Sequence, residues 1–152
     1  MTLYEILPGQ LYQRGSLDRW RPGDRIQLLQ THRITWVVAL WGVYDRFIAL
    51  SVASYIYHPI ADGKTVDVAP LHAIARRVAD AMRQGQRALV TCHAGRNRSG
   101  FLNALILHQY AGLSGDEALA WVRRGRPRAV ANPAFEAYLT HLPPLRQPLV
   151  VA

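Results

Sequence analysis

Short apolar runs along the chain predict buried strands. Residues 34–40 are rich in β-branched side chains, and residues 87–91 form a second apolar run that begins after Gly85. Both runs are continuous rather than alternating, which is typical of strands covered on both faces of a parallel sheet. We therefore expect two central strands here, with a third, shorter run at residues 55–57.

Between these runs the apolar positions recur at helical spacing. Residues 70–84 predict a helix that Gly85 ends, and residues 99–111 predict another that ends at Gly112. Residues 22–30 predict a shorter helix with Ile26, Leu28 and Leu29 facing inward. Ser114 and Glu117 have capping-box spacing, and Asn132 followed by Pro133 predicts the start of a last helix.

Strands that alternate with helices predict an α/β fold. We expect a central, largely parallel sheet flanked by helices on both faces. The 152 residues show no repeat or linker, so they predict one domain over residues 1–152, with an irregular, proline-containing tail at about 143–152.

The most informative segment joins the predicted strand at 87–91 to the helix that follows. Cys92, the only cysteine, is followed by His93, Ala94, Gly95, Arg96, Asn97, Arg98 and Ser99. Backbone N–H groups of a loop entering a helix can converge on an anion, and Arg98 offers a planar fork for two phosphate oxygens. The same positive environment favours the thiolate of Cys92, and Ser99 can donate a hydrogen bond to the departing sulfur. These residues predict phosphoryl transfer through a cysteine.

Other phosphate or metal chemistry is less consistent with the sequence. The one Gly-Lys-Thr triplet, residues 63–65, does not make a Walker-type phosphate loop, because position 58, five residues before Gly63, is His58 rather than the glycine that this motif requires. One cysteine and scattered histidines give no metal-ligand spacing, so we expect neither a metal nor an organic cofactor.

The pattern Cys-(five residues)-Arg-Ser-Gly at 92–100 resembles the signature loop of the cysteine-based protein tyrosine phosphatase superfamily, and most closely that of the small dual-specificity phosphatases. Residues 6–15 and 126–135 also resemble segments of that branch, so the similarity extends over about residues 3–142. The resemblance implies hydrolysis of phosphotyrosine, phosphoserine and phosphothreonine in proteins through a phosphocysteine on Cys92. It also implies a shallow pocket, since the long N-terminal extension of the larger tyrosine-specific enzymes is not seen.

Phosphatases of this kind also need an acid that protonates the leaving oxygen. Asp62 follows the run at 55–57, adjoins Gly63, and resembles the family's general acid in its separation from Cys92. Asp67, slightly later in the same predicted loop, is the alternative. Asp62 could instead be a plain turn residue, because Asp-Gly is a common turn pair.

One position departs from the family pattern. The family usually has histidine immediately before the cysteine, where it orients the loop and stabilises the thiolate, but this chain has Thr91. A hydrogen bond from the threonine hydroxyl would have to replace it, and the degree of activation of Cys92 stays open at this point.

Basic residues near the loop leave the substrate class open. His93 and Arg96 occupy variable loop positions, and Lys64 lies two residues after Asp62, so all three are candidates for a substrate rim. Phosphoinositide phosphatases of the superfamily also carry basic residues at those loop positions, and residues 95–100 resemble the RNA 5′-triphosphatases, which generally work without the aspartate. A non-catalytic phosphate-binding module is a third, less favoured interpretation.

The net charge of +8 favours acidic partners. The arginines are spread along the chain, so a phosphorylated protein or a membrane surface is favoured over a dedicated nucleic-acid face. No stretch approaches the roughly 20 apolar residues of a membrane span, and the N-terminus lacks the pattern of a signal peptide. A free catalytic thiol favours a reducing compartment, so we expect a cytoplasmic location.

Overall fold

A computed structural model describes residues 2–145 and shows a five-stranded sheet in the order β1-β2-β5-β3-β4. Its strands are β1 (Tyr4–Leu7), β2 (Leu11–Gly15), β3 (Trp36–Ala39), β4 (Ser54–Tyr57) and β5 (Ala88–Cys92). β1 pairs with β2 in antiparallel fashion, whereas the other three pairings are parallel. The predicted α/β fold with a largely parallel sheet is confirmed.

Six helices cover the two faces of this sheet within the described residues. They are α1 (Pro22–Thr31), α2 (Arg46–Ser51), α3 (Val68–Arg83), α4 (Arg98–Ala111), α5 (Gly115–Gly125) and α6 (Pro133–Thr140). Helices α3 to α6 supply the larger apolar cluster, which is built around Phe101, Leu105 and Phe135. Helices α1 and α2 supply a smaller cluster with Leu29 and Ile48.

Most predicted helix boundaries agree with the structure to within two residues. The capping box of Ser114 with Glu117 is present, and Asn132 accepts hydrogen bonds from the N–H groups of Ala134 and Phe135. In α1, only Leu29 of the three predicted inward residues is fully buried. Helix α2 was not predicted, because it is only six residues long and most of its side chains are exposed.

β5 places the signature segment at the centre of the molecule. All five residues of β5 are buried, and the strand has parallel neighbours on both sides. Its last residue is Cys92, so the cysteine lies at the carboxyl edge of the sheet, where α/β folds bind their ligands. Residues 143–145 form neither helix nor strand, and the rest of the predicted tail, 146–152, lies outside the described residues. Over residues 2–145, none of the helices combines the length and apolar character needed to cross a bilayer.

Candidate active site

The connection between β5 and α4 is a five-residue loop, residues 93–97. Gly95 has a φ of 67°, in the left-handed region. A Cβ atom at this position would lie 2.3 Å from the backbone of both Arg14 and Gly15 at the end of β2. Glycine is therefore required here, because the loop touches the neighbouring strand through its backbone.

Loop carbonyl groups are held on the outside by the surrounding protein. His93 O accepts from Ser16 N at 3.1 Å, and Arg96 O accepts from Val130 N at 3.2 Å. Gly95 O accepts from Gln13 Nε2 at 3.0 Å. The C=O and N–H of a trans peptide point in opposite directions, so the N–H groups of residues 94, 96 and 97 turn away from these partners. That orientation faces them into the loop, where an anion would bind.

Arginines in the last turn of α5 and directly after it brace this loop. Arg126 Nε donates to Gly95 O at 3.2 Å, and Arg123 donates to the carbonyls of Ala129 and Val130 at 3.0 Å each. Val130 has a φ of 59°, which is an unfavourable conformation for a β-branched residue. In this conformation the N–H of Val130 donates to Arg96 O. No sequence motif singled these arginines out, so their bracing role was missed.

Cys92 and Ser99 meet inside the loop. Cys92 Sγ lies 3.2 Å from Ser99 Oγ, and the two residues are 2% and 0% exposed. In the thiol form the sulfur donates to the hydroxyl, whereas a thiolate would accept from it. The structure thus brings together two of the four predicted catalytic residues.

Arg98 is the first residue of α4, directly beside the loop. Its Nη1 donates to Ile60 O at 3.1 Å, which anchors one end of the guanidinium. Its Nε is buried and has no hydrogen-bond partner among the residues that the structure describes. A buried donor without an acceptor is costly, so this atom indicates a place for an anion.

Asp62 reaches the phosphate loop through two amide side chains. Asp62 Oδ2 accepts from Asn97 Nδ2 at 2.9 Å, and Oδ1 accepts from Asn132 Nδ2 at 2.6 Å. Asn97 Oδ1 in turn accepts from the N–H groups of Ala131 and Asn132. Asn97 and Asn132 therefore connect the Asp62 loop, the phosphate loop and the start of α6.

Asp67, the alternative acid, occupies a different position. It is the exposed residue that precedes α3, and its side chain makes no capping hydrogen bond. The described contacts connect Asp62, and not Asp67, to the phosphate loop.

Thr91 lies on the opposite side of β5 from the sulfur. Successive side chains of a strand alternate between faces. Thr91 accordingly lines a small cavity with Val37 and Tyr55, whereas Cys92 packs in the cluster of helix α4. Its hydroxyl is therefore placed away from Cys92 and does not take over a direct contact with the thiol.

The three predicted rim residues face different surroundings. His93 packs against Trp41, with ring centroids 4.4 Å apart and ring planes tilted by 43°. Arg96 Nε donates to Arg128 O at 2.9 Å, on the side of the segment before α6. Lys64 is exposed on the Asp62 loop. Trp41, which no sequence motif singled out, is thus a neighbour of the site.

Comparisons with known proteins agree with this geometry. The family model described as "Dual specificity phosphatase, catalytic domain" matches residues 23–142. The human "Dual specificity protein phosphatase CDC14C" is 33% identical over 118 residues, which are 74% of this chain and 25% of that protein. The chain thus spans about a quarter of the length of that relative.

Solved structures show the same fold. The crystal structure of human DUSP28 has a TM-score of 0.76 and 26% identity, covering 91% of this chain and 90% of that one. The structure of Tk-PTP in the active form has a TM-score of 0.73 and 26% identity, covering 91% and 92%. A mouse putative dual-specificity phosphatase complexed with zinc tungstate has a TM-score of 0.73 and 26% identity, covering 91% and 84%.

Sequence motif, fold, loop geometry and family match all point to one assignment. The chain belongs to the dual-specificity phosphatase catalytic-domain family.

Proposed function

We propose that this protein hydrolyses phosphate monoesters on phosphorylated proteins through a phosphocysteine on Cys92. The proposal rests on one observation: the four candidate catalytic side chains all lie at the loop of residues 93–97. Cys92 and Ser99 are in contact inside it, Arg98 Nε lacks an acceptor beside it among the described residues, and Asp62 is hydrogen-bonded to its Asn97. Action on phosphoserine and phosphothreonine as well as phosphotyrosine is supported by the family match.

In the first step the Cys92 thiolate attacks phosphorus. The S–P bond forms while the P–O bond to the substrate side chain breaks, and the leaving oxygen takes a proton from the Asp62 carboxylic acid. The inward N–H groups of the loop and the guanidinium of Arg98 stabilise the charge on the three equatorial oxygens. Arg98 is already anchored on Ile60 O, so little reorganisation is needed.

In the second step a water molecule attacks the phosphocysteine. Asp62, now a carboxylate, accepts a proton from the water, and the S–P bond breaks with its electron pair on sulfur. The Ser99 hydroxyl, 3.2 Å from Sγ, donates a hydrogen bond to the thiolate that forms. Inorganic phosphate and the starting thiolate are the products.

The hydrogen bonds of Asp62 fit the second step better than the first. Two amide donors suit a carboxylate, the form that acts as base. To act as an acid, the protonated group must turn at least one oxygen from an asparagine toward the leaving oxygen. Exposure of Asp62 leaves room for that movement.

A substrate panel tests this function. Wild-type protein and Cys92→Ser are given peptides with phosphotyrosine, phosphoserine or phosphothreonine, together with phosphoinositides and 5′-triphosphate RNA. We expect turnover of the phosphopeptides by the wild type and none by Cys92→Ser. Residual activity of Cys92→Ser would contradict the mechanism.

The same panel separates the alternative substrate classes. A strong preference for phosphoinositides or triphosphate RNA over every phosphopeptide would show a polyanion-directed enzyme, and removing the charges of His93 and Arg96 should then erase that preference. Binding of phosphopeptides without turnover by the wild type would show a non-catalytic module. The contact of Asp62 with the phosphate loop argues against the triphosphatase class, which generally works without that aspartate.

A further inference from the structure

Large exposed apolar side chains concentrate on one segment. Among residues 2–145, seven large hydrophobic residues are exposed, and five of them are Trp41, Val43, Tyr44, Phe47 and Leu50. We call these five residues, together with Arg46, the 41–50 surface. Val43 is 71% exposed and Leu50 is 86% exposed. Single exposed apolar residues are ordinary, but a cluster of this kind marks an interaction site.

The backbone that carries this surface is firmly held. Asp45 accepts hydrogen bonds from Phe47 N and Ile48 N at 3.0 Å each, and it forms an ion pair with Arg25 at 2.7 Å. The Tyr44 ring packs edge-on against Tyr55, with centroids 5.2 Å apart. The exposed side chains are therefore presented from a fixed backbone, which lowers the entropy cost of binding a partner.

The 41–50 surface adjoins the active site. The Trp41 ring packs against that of His93, which directly follows Cys92. A cavity of about 280 Å³ lies between Trp41, Trp20, Arg19 and His93. A protein that delivers its phosphate group to Cys92 therefore lies over the Trp41 end of this surface.

Charge and shape indicate what the surface accepts. Asp45 is 7% exposed and is paired with Arg25, so the exposed charge within the segment is that of Arg46. A cleft of about 250 Å³ is lined by three apolar residues, Val43, Tyr44 and Phe47, and by two acidic and two basic residues, Asp18, Asp45, Arg25 and Arg46. Such a cleft can hold one large apolar side chain, with an acidic neighbour near Arg46.

We infer that the 41–50 surface docks the phosphoprotein substrate and selects large apolar side chains close to the phosphorylated residue. This inference rests on the proposed function. A discrete cleft whose wall carries carboxylates as well as guanidinium groups favours a protein side chain over an anionic lipid surface. The net charge of +8 on each copy opposes association of two copies of this chain.

The test compares two phosphotyrosine peptides of equal charge, one with leucine and phenylalanine at the flanking positions and one with serine there. The variant is Val43→Ser/Leu50→Ser, which changes no charge, and the matched control is Trp121→Ser, an exposed apolar residue on α5. We expect the wild type to prefer the apolar peptide by about tenfold in kcat/KM. The double variant should lose this preference and keep its activity on a small aryl phosphate, whereas Trp121→Ser should match the wild type.

Several outcomes would overturn the inference. One is that the wild type and the double variant prefer the apolar peptide over the serine peptide to the same degree. Another is that neither protein prefers the apolar peptide. Sedimentation of the wild type, but not the double variant, with phosphatidylcholine–phosphatidylglycerol vesicles would assign the surface to a membrane. A dimer in solution that the double variant dissociates would assign it to a second copy.

Docking can also be measured without turnover. Fluorescence anisotropy of the two labelled peptides on Cys92→Ser, with and without the Val43→Ser/Leu50→Ser changes, reports binding alone. If the apolar peptide binds more tightly and the double variant loses that advantage, docking holds even where the proposed chemistry fails. Equal binding of both peptides would contradict docking even where the chemistry holds.

Discussion

At the residue scale, the proposed roles of Asp62 and Asp67 differ because of their contacts. Asp62 is hydrogen-bonded to Asn97 of the phosphate loop, whereas Asp67 precedes α3 and makes no capping bond. The two carboxyl groups belong to the same β4–α3 connection and are both exposed, so they form a natural pair for comparison.

We predict that Asp62→Asn lowers kcat on a phosphoserine peptide by about 10²–10³-fold, since the alkoxide leaves without its proton. The loss should be much smaller for an aryl phosphate with an acidic phenol, because that leaving group needs little protonation. Steady-state kinetics on both substrates checks this, with Asp67→Asn as the control that retains activity. The opposite result, a loss in Asp67→Asn alone, would assign the acid to Asp67.

Asn132 gives a second prediction, for a positioning residue. Its Oδ1 caps α6 while its Nδ2 donates to Asp62, so Asn132→Ser keeps an acceptor for the cap but removes the donor, without placing a second carboxylate against Asp62. We expect kcat to fall about tenfold with little change in KM, and the melting temperature to stay close to that of the wild type. An unchanged kcat would show that the carboxylate of Asp62 does not depend on this amide.

At the element scale, the five-residue loop depends on the backbone contact between Gly95 and β2. A methyl group at Gly95 would overlap the backbone of Arg14 and Gly15 at 2.3 Å, and φ is 67°. Gly95→Ala should therefore displace the loop, abolish turnover and lower the melting temperature by several degrees.

Gly23→Ala is the matched control. Gly23 lies in the first turn of α1, and no atom is found within 4 Å of a Cβ placed there. The Gly23→Ala variant should have the activity of the wild type, and a melting temperature equal to that of the wild type or slightly higher. Thermal unfolding and phosphopeptide hydrolysis of the two variants, measured side by side, separate a loop effect from a general effect of glycine replacement. Full activity in Gly95→Ala would refute the proposed loop requirement.

Local sequence was sufficient for the nucleophile and its immediate neighbours. Cys92, Arg98 and Ser99 are contiguous on one strand–loop–helix unit, whose apolar runs and glycine stop are visible in the sequence. The braces could not be predicted, because Arg126 meets Gly95 and Asn132 meets Asp62 only after distant segments pack together. Helix α2 was missed for a related reason: Ile48 is buried but Phe47 and Leu50 are exposed, so no buried periodicity marks this six-residue helix.

At the scale of the whole molecule, helices α3, α4 and α6 meet at a cluster of titratable groups. His72 Nε2 is 2.6 Å from Tyr138 OH, and the His72 ring lies 6.2 Å from that of His108. Burial, and then repulsion from His108 and Arg76, lowers the pKa of His72 below its ordinary value of 6.5. Charging His72 is thus harder in the folded protein than in the unfolded chain.

This shift predicts how stability depends on pH. The contribution of neutral His72 to the free energy of unfolding is fully present above pH 6.5. It is lost as the pH falls from 6.5 through the lowered pKa of the folded protein, because the unfolded chain binds the proton first. The melting temperature should fall on acidification below that pH, and His72→Gln should make the fall shallower. Thermal unfolding across this range checks it, and identical pH profiles of wild type and variant would contradict it.

The covalent intermediate is the most direct test of the account as a whole. Wild-type protein is mixed with a phosphotyrosine peptide, quenched in acid within milliseconds, digested and examined by mass spectrometry. We predict a transient phosphoryl group on the peptide that contains Cys92, more abundant in Ser99→Ala because release of the sulfur is slowed. Turnover without any phosphoryl group on Cys92, or a phosphoryl group on another residue, would contradict the phosphocysteine mechanism.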